Sequence, residues 1–489
     1  MTAPRATIVA TGTGRLAWTV AVLSAGVLGF ELALMRVLLV SSWHHFAFLV
    51  ISIALLGFGA SGTALCLLRS ILLPRQRGVL LGLIIATAIS MPLCTSLAQH
   101  VPVEARFLPA LFWGQLGRWL LYWALLGVPF LLGASAIGLA LIAAGDRVAV
   151  VYGSNLLGSG CGAWLGTAAM WVVPPQWLAP AMGAVTLLGV VTLFPKSPLK
   201  KAAAIGAGIL AIAVVVWLWP PQLRVDPYKY LAYVQRLEQQ GAASRLSVAY
   251  SPRSVIELYR SDAFHDMPFL SVGETPPPMD VLVIDGHWAG SVPRIRTLNE
   301  AAVVDRTLMA FAYAIAPQHP RVLLLGERGG WNTWLALRHG AALIHVVQPD
   351  PNLFELLQTS LDDASAQPLV QPTVRPVVAH PRHLLDHSRD QYDIIQLVSL
   401  EGLAAGSGGS AGLGQDHLVT VEGITAAVNR LTADGLVFVC RGIQTPPRDN
   451  LKLLATFIAA LGRMGIDQPQ QHMLIVRDYL AVCTVAKAS

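Results

Sequence analysis

The sequence predicts an α-helical membrane bundle of about seven spans, followed by an α/β domain built on a mostly parallel sheet. Three observations carry this. Of 489 residues, 54% are hydrophobic and only 13% charged, against about 25% charged in soluble proteins. The charges are split: residues 1–219 hold 12 Lys and Arg but 3 Asp and Glu, whereas residues 220–489 hold 22 and 25. In the second half, short apolar runs alternate with helical stretches, the pattern of strand–helix–strand units. The net charge of +6 therefore belongs to short loops beside lipid headgroups and is no nucleic-acid footprint.

Stretches able to cross about 30 Å of hydrocarbon occur at 16–40, 46–68, 78–98, 119–143, 148–173, 177–195 and 202–219. The first lacks a small-residue cleavage site and carries Glu31 and Arg36, so it reads as an anchor and not as a cleaved signal peptide. The fifth is charge-free but glycine-rich and contains Asn155, and it decides the topology. If it crosses, nine positive residues on the amino-terminal side (Arg5, Arg15, Arg69, Arg75, Arg77, Arg147, Lys196, Lys200, Lys201) oppose three (Arg36, Arg106, Arg118). The positive-inside rule then places the carboxyl domain outside the cytoplasm. Counting Arg224, Lys229 and Arg236 makes it nine against six, the score of a six-span arrangement with a cytoplasmic domain. Charge leaves the side open, and the length of the fifth span favours seven.

Glu31 and Arg36 are costly in lipid and are expected to face the bundle interior. Five residues apart, they project about 140° apart on a helix, so each should pair with another helix. They read as polar glue, with a transport or proton pathway as the alternative. His44, His45 and His100 fall near span ends, which argues against a bis-histidine haem. Gly57, Gly59, Gly62, Gly158 and Gly162 offer small-residue faces for close helix packing. The five cysteines show no CxxC and no metal-finger spacing.

Trp217, Trp219 and Pro220-Pro221 close the membrane half at residue 219. Residues 220–315 read as a linker and a small antiparallel sheet, with alternating stretches at 247–259 and 279–285 and turn residues at Asp285-Gly286. Residues 316–489 read as the main α/β domain. A strand at 321–325 runs into Gly326-Glu-Arg-Gly-Gly330 and a helix at 332–339, and a strand at 342–347 ends at Gln348-Pro-Asp350. Strands at 374–378, 392–398 and 435–440, a helix at 422–431 and a hairpin at 473–485 follow. A ligand crevice is expected at the carboxyl ends of the parallel strands.

Val281-Leu-Val-Ile-Asp-Gly286, the strand into Gly326–Gly330, Gln348-Pro-Asp-Pro351, Tyr392-Asp-Ile-Ile-Gln396, Thr420-Val-Glu422 and Asp434-Gly435 together resemble spermidine synthase-like proteins (polyamine aminopropyltransferases) of the membrane-anchored bacterial branch. In the membrane half, residues 26–36 and 152–162 resemble recurring patterns of the same branch. The resemblance covers nearly the whole chain. It implies a class I methyltransferase-like, Rossmann-type domain behind a multi-span region of the bacterial inner membrane. It also implies a site for S-adenosylmethionine or its decarboxylated form.

The residues that such a site needs are altered together. Gly326, Gly329 and Gly330 match the glycine loop, but Arg328 stands at its middle glycine. Gln348 replaces the carboxylate for the ribose hydroxyls, losing a charge-assisted hydrogen bond. Ala379-His380-Pro381 stands where an acidic residue would hold the adenine amine. The stretch expected to carry the catalytic aspartates reads Leu397-Val-Ser-Leu400, leaving Glu401 and Asp416 as weak candidates for a general base. The glycine-rich run 402–414 resembles a gate loop, with an ordinary surface loop as the plain reading. His380, His383 and His387 have helical spacing, but no carboxylate completes a metal set, and no metal is expected. Cys440 and Cys483 fall on strands that this fold places side by side, yet such pairs seldom meet disulfide geometry, so free thiols are expected.

These readings point to a catalytically degenerate, membrane-anchored protein that needs no cofactor. It is expected to act as an accessory or scaffold subunit beside electron-transfer or export components, with its soluble domain in the periplasm. The first alternative is an active aminopropyltransferase or methyltransferase with a rewired site. The second is a transporter or ligand sensor.

Overall fold

The computed structural model describes residues 12–42, 44–104, 110–193, 198–360, 367–398, 417–443 and 445–487. The chain forms two compact units, the first comprising residues 1–226 with 250–252 and the second the remainder.

The first unit is a bundle of apolar helices: α1 (Thr13–Ser41), α2 (His44–Leu72), α3 (Gln76–Ala98), α4 (Phe112–Ala144), α5 (Val148–Ala169), α6 (Pro175–Leu187) and α7 (Pro198–Leu218). Each covers most of one apolar stretch of the sequence. Among the described residues, three helical stretches are long and apolar enough to cross a membrane: Thr13–Ser41, Phe48–Ala98 and Phe112–Ala169. The latter two contain short 3-10 links at Leu73–Arg75 and Gly145–Arg147. At the second link Gly145 takes φ 54° and ψ −125°, a combination open only to glycine, so α4 ends there. The fifth segment, α5, is an uninterrupted helix of 22 residues, about 33 Å long.

α1 is buried along most of its length, and small residues let α5 approach it. A Cβ added at Gly158 would stand 2.1 Å from the Ala21 carbonyl oxygen, and at Gly166 3.2 Å from the Gly29 Cα. Asn155 accepts a 2.7 Å hydrogen bond from Ser24 Oγ across the same seam. Arg36 is buried and Glu31 half-buried on α1. Gly57 touches Phe130 and Leu131, whereas Gly59 and Gly62 have nothing near them.

The second unit opens with α8 (Tyr230–Gln239) and a four-stranded sheet, β1 (Ser244–Tyr250), β2 (Val255–Arg260), β3 (Met279–Ile284) and β4 (His287–Pro293), in that order. The stretch 247–259 is thus two strands. Ile284 pairs His287 across Asp285 and Gly286, both at positive φ (49° and 78°), a two-residue hairpin turn that Asp-Gly favours. Asp285 Oδ1 also accepts from Val255 N at 2.9 Å, tying the turn to β2.

The larger sheet comprises β5 (Arg321–Leu325), β6 (Leu343–Gln348), β7 (Val374–Val378), β8 (Tyr392–Leu397), β9 (Leu431–Gly442), β10 (Met473–Arg477) and β11 (Ala481–Lys487). Helix α9 (Ala310–Ala314) precedes β5, and α10 (Trp331–Arg338), α11 (Pro351–Ser360), α12 (Pro381–His387), α13 (Val421–Val428) and α14 (Arg448–Arg463) follow β5 to β9 in turn. Its order is β10-β11-β9-β8-β5-β6-β7. The strands from β9 to β7 are parallel, and β11 lies antiparallel between β9 and β10. This is a Rossmann-like sheet whose order reverses at β5, so the crevice lies beside the carboxyl end of that strand. One of its cores joins Leu323, Ile395 and Val437 of the sheet to Ile424 of α13 (Val421–Val428) and Phe457 of α14 (Arg448–Arg463). The Thr420 side chain caps α13 by accepting from Gly423 N at 3.0 Å.

One expectation is corrected. Cys440 and Cys483 face each other in the β9–β11 register and are joined as a disulfide. Their Cα atoms are 4.0 Å apart, the close spacing of a non-hydrogen-bonded antiparallel pair, which brings the two side chains together.

Candidate functional site

β5 delivers the chain to Gly326, whose φ of 89° turns the backbone sharply, and Gly330, also at 89°, starts α10 (Trp331–Arg338). Between them lies Glu327, buried at 4% exposure. Its Oε1 accepts the backbone N–H groups of Arg328, Gly329 and Gly330 at 3.0, 3.0 and 2.8 Å. Its Oε2 accepts from Asn332 Nδ2. Desolvating a carboxylate is costly unless its lone pairs are met by donors, and here four donors meet it.

The same inward turn recurs around the crevice. Gln396, at the end of β8, donates to Asn332 Oδ1 at 2.6 Å and to Met309 Sδ at 3.5 Å. Gln348 donates to the Glu327 carbonyl at 2.8 Å. Asp350 accepts a 2.6 Å hydrogen bond from Ser254 Oγ, both residues buried. Trp331 Nε1 donates to Ser291 Oγ at 3.0 Å. Gly329 lies so close to β4 that a Cβ would stand 1.9 Å from the Ser291 carbonyl oxygen. Free volume beside Met309, Asn332, Gln396 and Val398 is about 10 Å³, roughly the space of one water molecule. Beside Arg328, Gly330, Phe354 and Pro368 it is about 20 Å³.

The loop N–H groups are taken by Glu327, the Gln348 amide is turned to the backbone, and Ser291 closes on Gly329.

The remaining candidates scatter. His380 is exposed and precedes α12 (Pro381–His387). On that helix His383 and His387 stack with ring centroids 4.1 Å apart. Among the described residues no cluster of three or more His, Cys, Asp or Glu has metal-binding proximity. Glu401, Asp416 and the run 402–414 lie outside the described residues. Glu327, Asp350 and Gln396 stand within the sequence motifs with no role assigned to them there, and Asn332 only at the start of an expected helix. An acidic residue directly after the first glycine of the loop was the signal available for Glu327.

No family model and no curated protein matches the sequence. Among solved structures, the chain is similar to a spermidine synthase in complex with the transition-state analogue AdoDATO, at 15% identity and TM-score 0.34, covering 50% of this chain and 74% of that one. It is similar to spermidine synthase from Thermotoga maritima, at 13% identity and TM-score 0.34, covering 50% and 73%. A probable spermidine synthase from Corynebacterium glutamicum ATCC 13032 gives 16% identity and TM-score 0.34, covering 50% and 80%.

Proposed function

We propose that this chain is a membrane-anchored, spermidine synthase-like protein that no longer performs transfer chemistry. It serves instead as an accessory or scaffold subunit of a bacterial inner-membrane assembly, beside electron-transfer or export components. The observation that carries this reading is the filled crevice: Glu327, Gln348, Asp350 and Gln396 all bond to the protein itself. A fold kept without its chemistry is kept for its surfaces.

On this reading the seven helices cross the membrane, supported by the 22-residue α5 and the bias of positive loops. The soluble unit then lies in the periplasm. The Cys440–Cys483 bond suits that side, because disulfides persist in oxidising compartments.

The test is calorimetric titration of the full-length chain in mild detergent with S-adenosylmethionine and its decarboxylated form. No saturable heat is expected at sub-millimolar ligand, and a saturable signal would return the enzyme reading. In parallel, gentle purification of the native protein should recover stoichiometric partner subunits. A homogeneous lone monomer would count against the scaffold role.

A further inference from the structure

The donors around Glu327 form one set. Three successive backbone N–H groups and the Asn332 amide converge on its carboxylate, at the start of an eight-residue helix. Two of the three N–H groups belong to glycines, so no side chain stands between backbone and occupant. Such a set binds oxyanions, because the N–H dipoles and the helix terminus both favour negative charge. In the same crevice, Gln396 is buried at 2% exposure and its Oε1 has no hydrogen-bond partner. The polar network therefore ends on an unfilled acceptor, and Gln396 is among the residues that line about 10 Å³ of free space.

We propose that Glu327 is a built-in occupant of the Gly326–Gly330 turn. Its carboxylate holds the place that the carboxylate of an external ligand would take, and it keeps the crevice shut. The contact is autoinhibitory in form, with the ligand mimic supplied by the chain. Three features brace it: Gln348 fixes the Glu327 carbonyl, Asn332 links the carboxylate to Gln396, and the Ser291 carbonyl blocks the outer side at Gly329. Removing the carboxylate leaves a donor-only cradle for a small oxyanion such as sulfate or acetate. This inference deepens the reading of the crevice as non-catalytic and rests on it.

The experiment compares the full chain in mild detergent with its Glu327→Ala and Glu327→Gln variants. Thermal unfolding is followed with sodium sulfate or sodium acetate against sodium chloride at matched ionic strength. Glu327→Ala should melt several degrees below the wild type and recover saturably with millimolar sulfate or acetate, while the wild type does not respond. Glu327→Gln, which keeps an acceptor oxygen, should lose less and show no recovery. An alanine variant without recovery, or a wild type that responds equally, overturns the proposal. Should Glu327→Ala fail to fold, hydrogen exchange at amides 328–330 of Glu327→Gln decides. At least tenfold faster exchange than wild type is expected, and unchanged exchange overturns it. Binding of S-adenosylmethionine by the wild type would instead defeat the non-catalytic reading, a result distinguishable from failed anion recovery.

Discussion

Gly162 of α5 lies directly on the backbone of Ala25 in α1: a Cβ added to the glycine would stand 2.2 Å from the Ala25 carbonyl oxygen. With Gly158 and Gly166 one turn to either side, this is a small-residue face that lets two helix backbones approach closely. Gly162→Val should destabilise the first unit by about 1–3 kcal/mol or more, read by thermal unfolding in detergent. Gly59→Ala, with nothing within 4 Å, should change stability by less than about 0.5 kcal/mol. Equal behaviour of the two variants would refute a close α1–α5 crossing.

Ser254→Ala removes the hydroxyl that donates to buried Asp350. Leaving a buried acceptor short of its donor costs about 1–3 kcal/mol. The melting temperature should fall, and Asp350→Asn, whose amide oxygen still accepts, should lower it less. An unchanged melt for Ser254→Ala would mean that water replaces the hydroxyl.

His345 Nδ1 lies 2.8 Å from the Tyr392 hydroxyl. Burial, opposed by Asp390 and reinforced by Arg321 and Arg375, holds the imidazole pKa below its usual value. Burial, with Asp390 adding to it, pushes the Tyr392 phenol up to about 12. The phenol therefore stays protonated beside the neutral ring, to which it is hydrogen-bonded. The unfolded chain takes up the histidine proton first as pH falls, so the group destabilises the fold below its unfolded pKa of about 6.5. The loss grows until the lower folded pKa is reached and is absent at pH 8. His345→Gln should flatten the drop in melting temperature between pH 7.5 and 5.5, and an identical drop in wild type and variant would remove His345 as its source.

The disulfide between Cys440 and Cys483 should appear as a linked peptide pair in non-reducing mapping. The Cys440→Ala, Cys483→Ala double variant should lose about 2–4 kcal/mol in denaturant unfolding. A carboxyl-terminal alkaline phosphatase fusion should be active in cells. Free thiols together with an inactive fusion would return the six-span topology.

The helices of the first half were legible because long, uncharged apolar runs leave little but helix to form, as in α5, whose limits the sequence placed within a few residues. The Asp285-Gly286 hairpin was legible because both residues must take positive φ. The parallel strands were legible from Leu323, Ile344 and Ile395, each in a short apolar run. Harder to read was 247–259, where β1 and β2 share one alternating pattern across a bend. The Cys440–Cys483 bond was missed because it depends on strand register, which residue types do not encode. Glu327 was missed for a related reason. Its partners are mostly main-chain N–H groups, which every residue but proline carries, so nothing in their sequence marks them as a cradle.

The seam between α1 and α5 also sets a delay in biogenesis. Ser24 and its partner Asn155 are 131 residues apart, and chains are made at about 5–20 residues per second. After α1 leaves the ribosome, its small-residue face waits roughly 7 to 26 seconds for the helix that covers it. During that interval its Ser24 hydroxyl must be satisfied by its own helix or by whatever surrounds the nascent chain. Slowing translation between residues 41 and 148 should therefore lengthen the period in which α1 is open to capture by other nascent helices or to proteolysis.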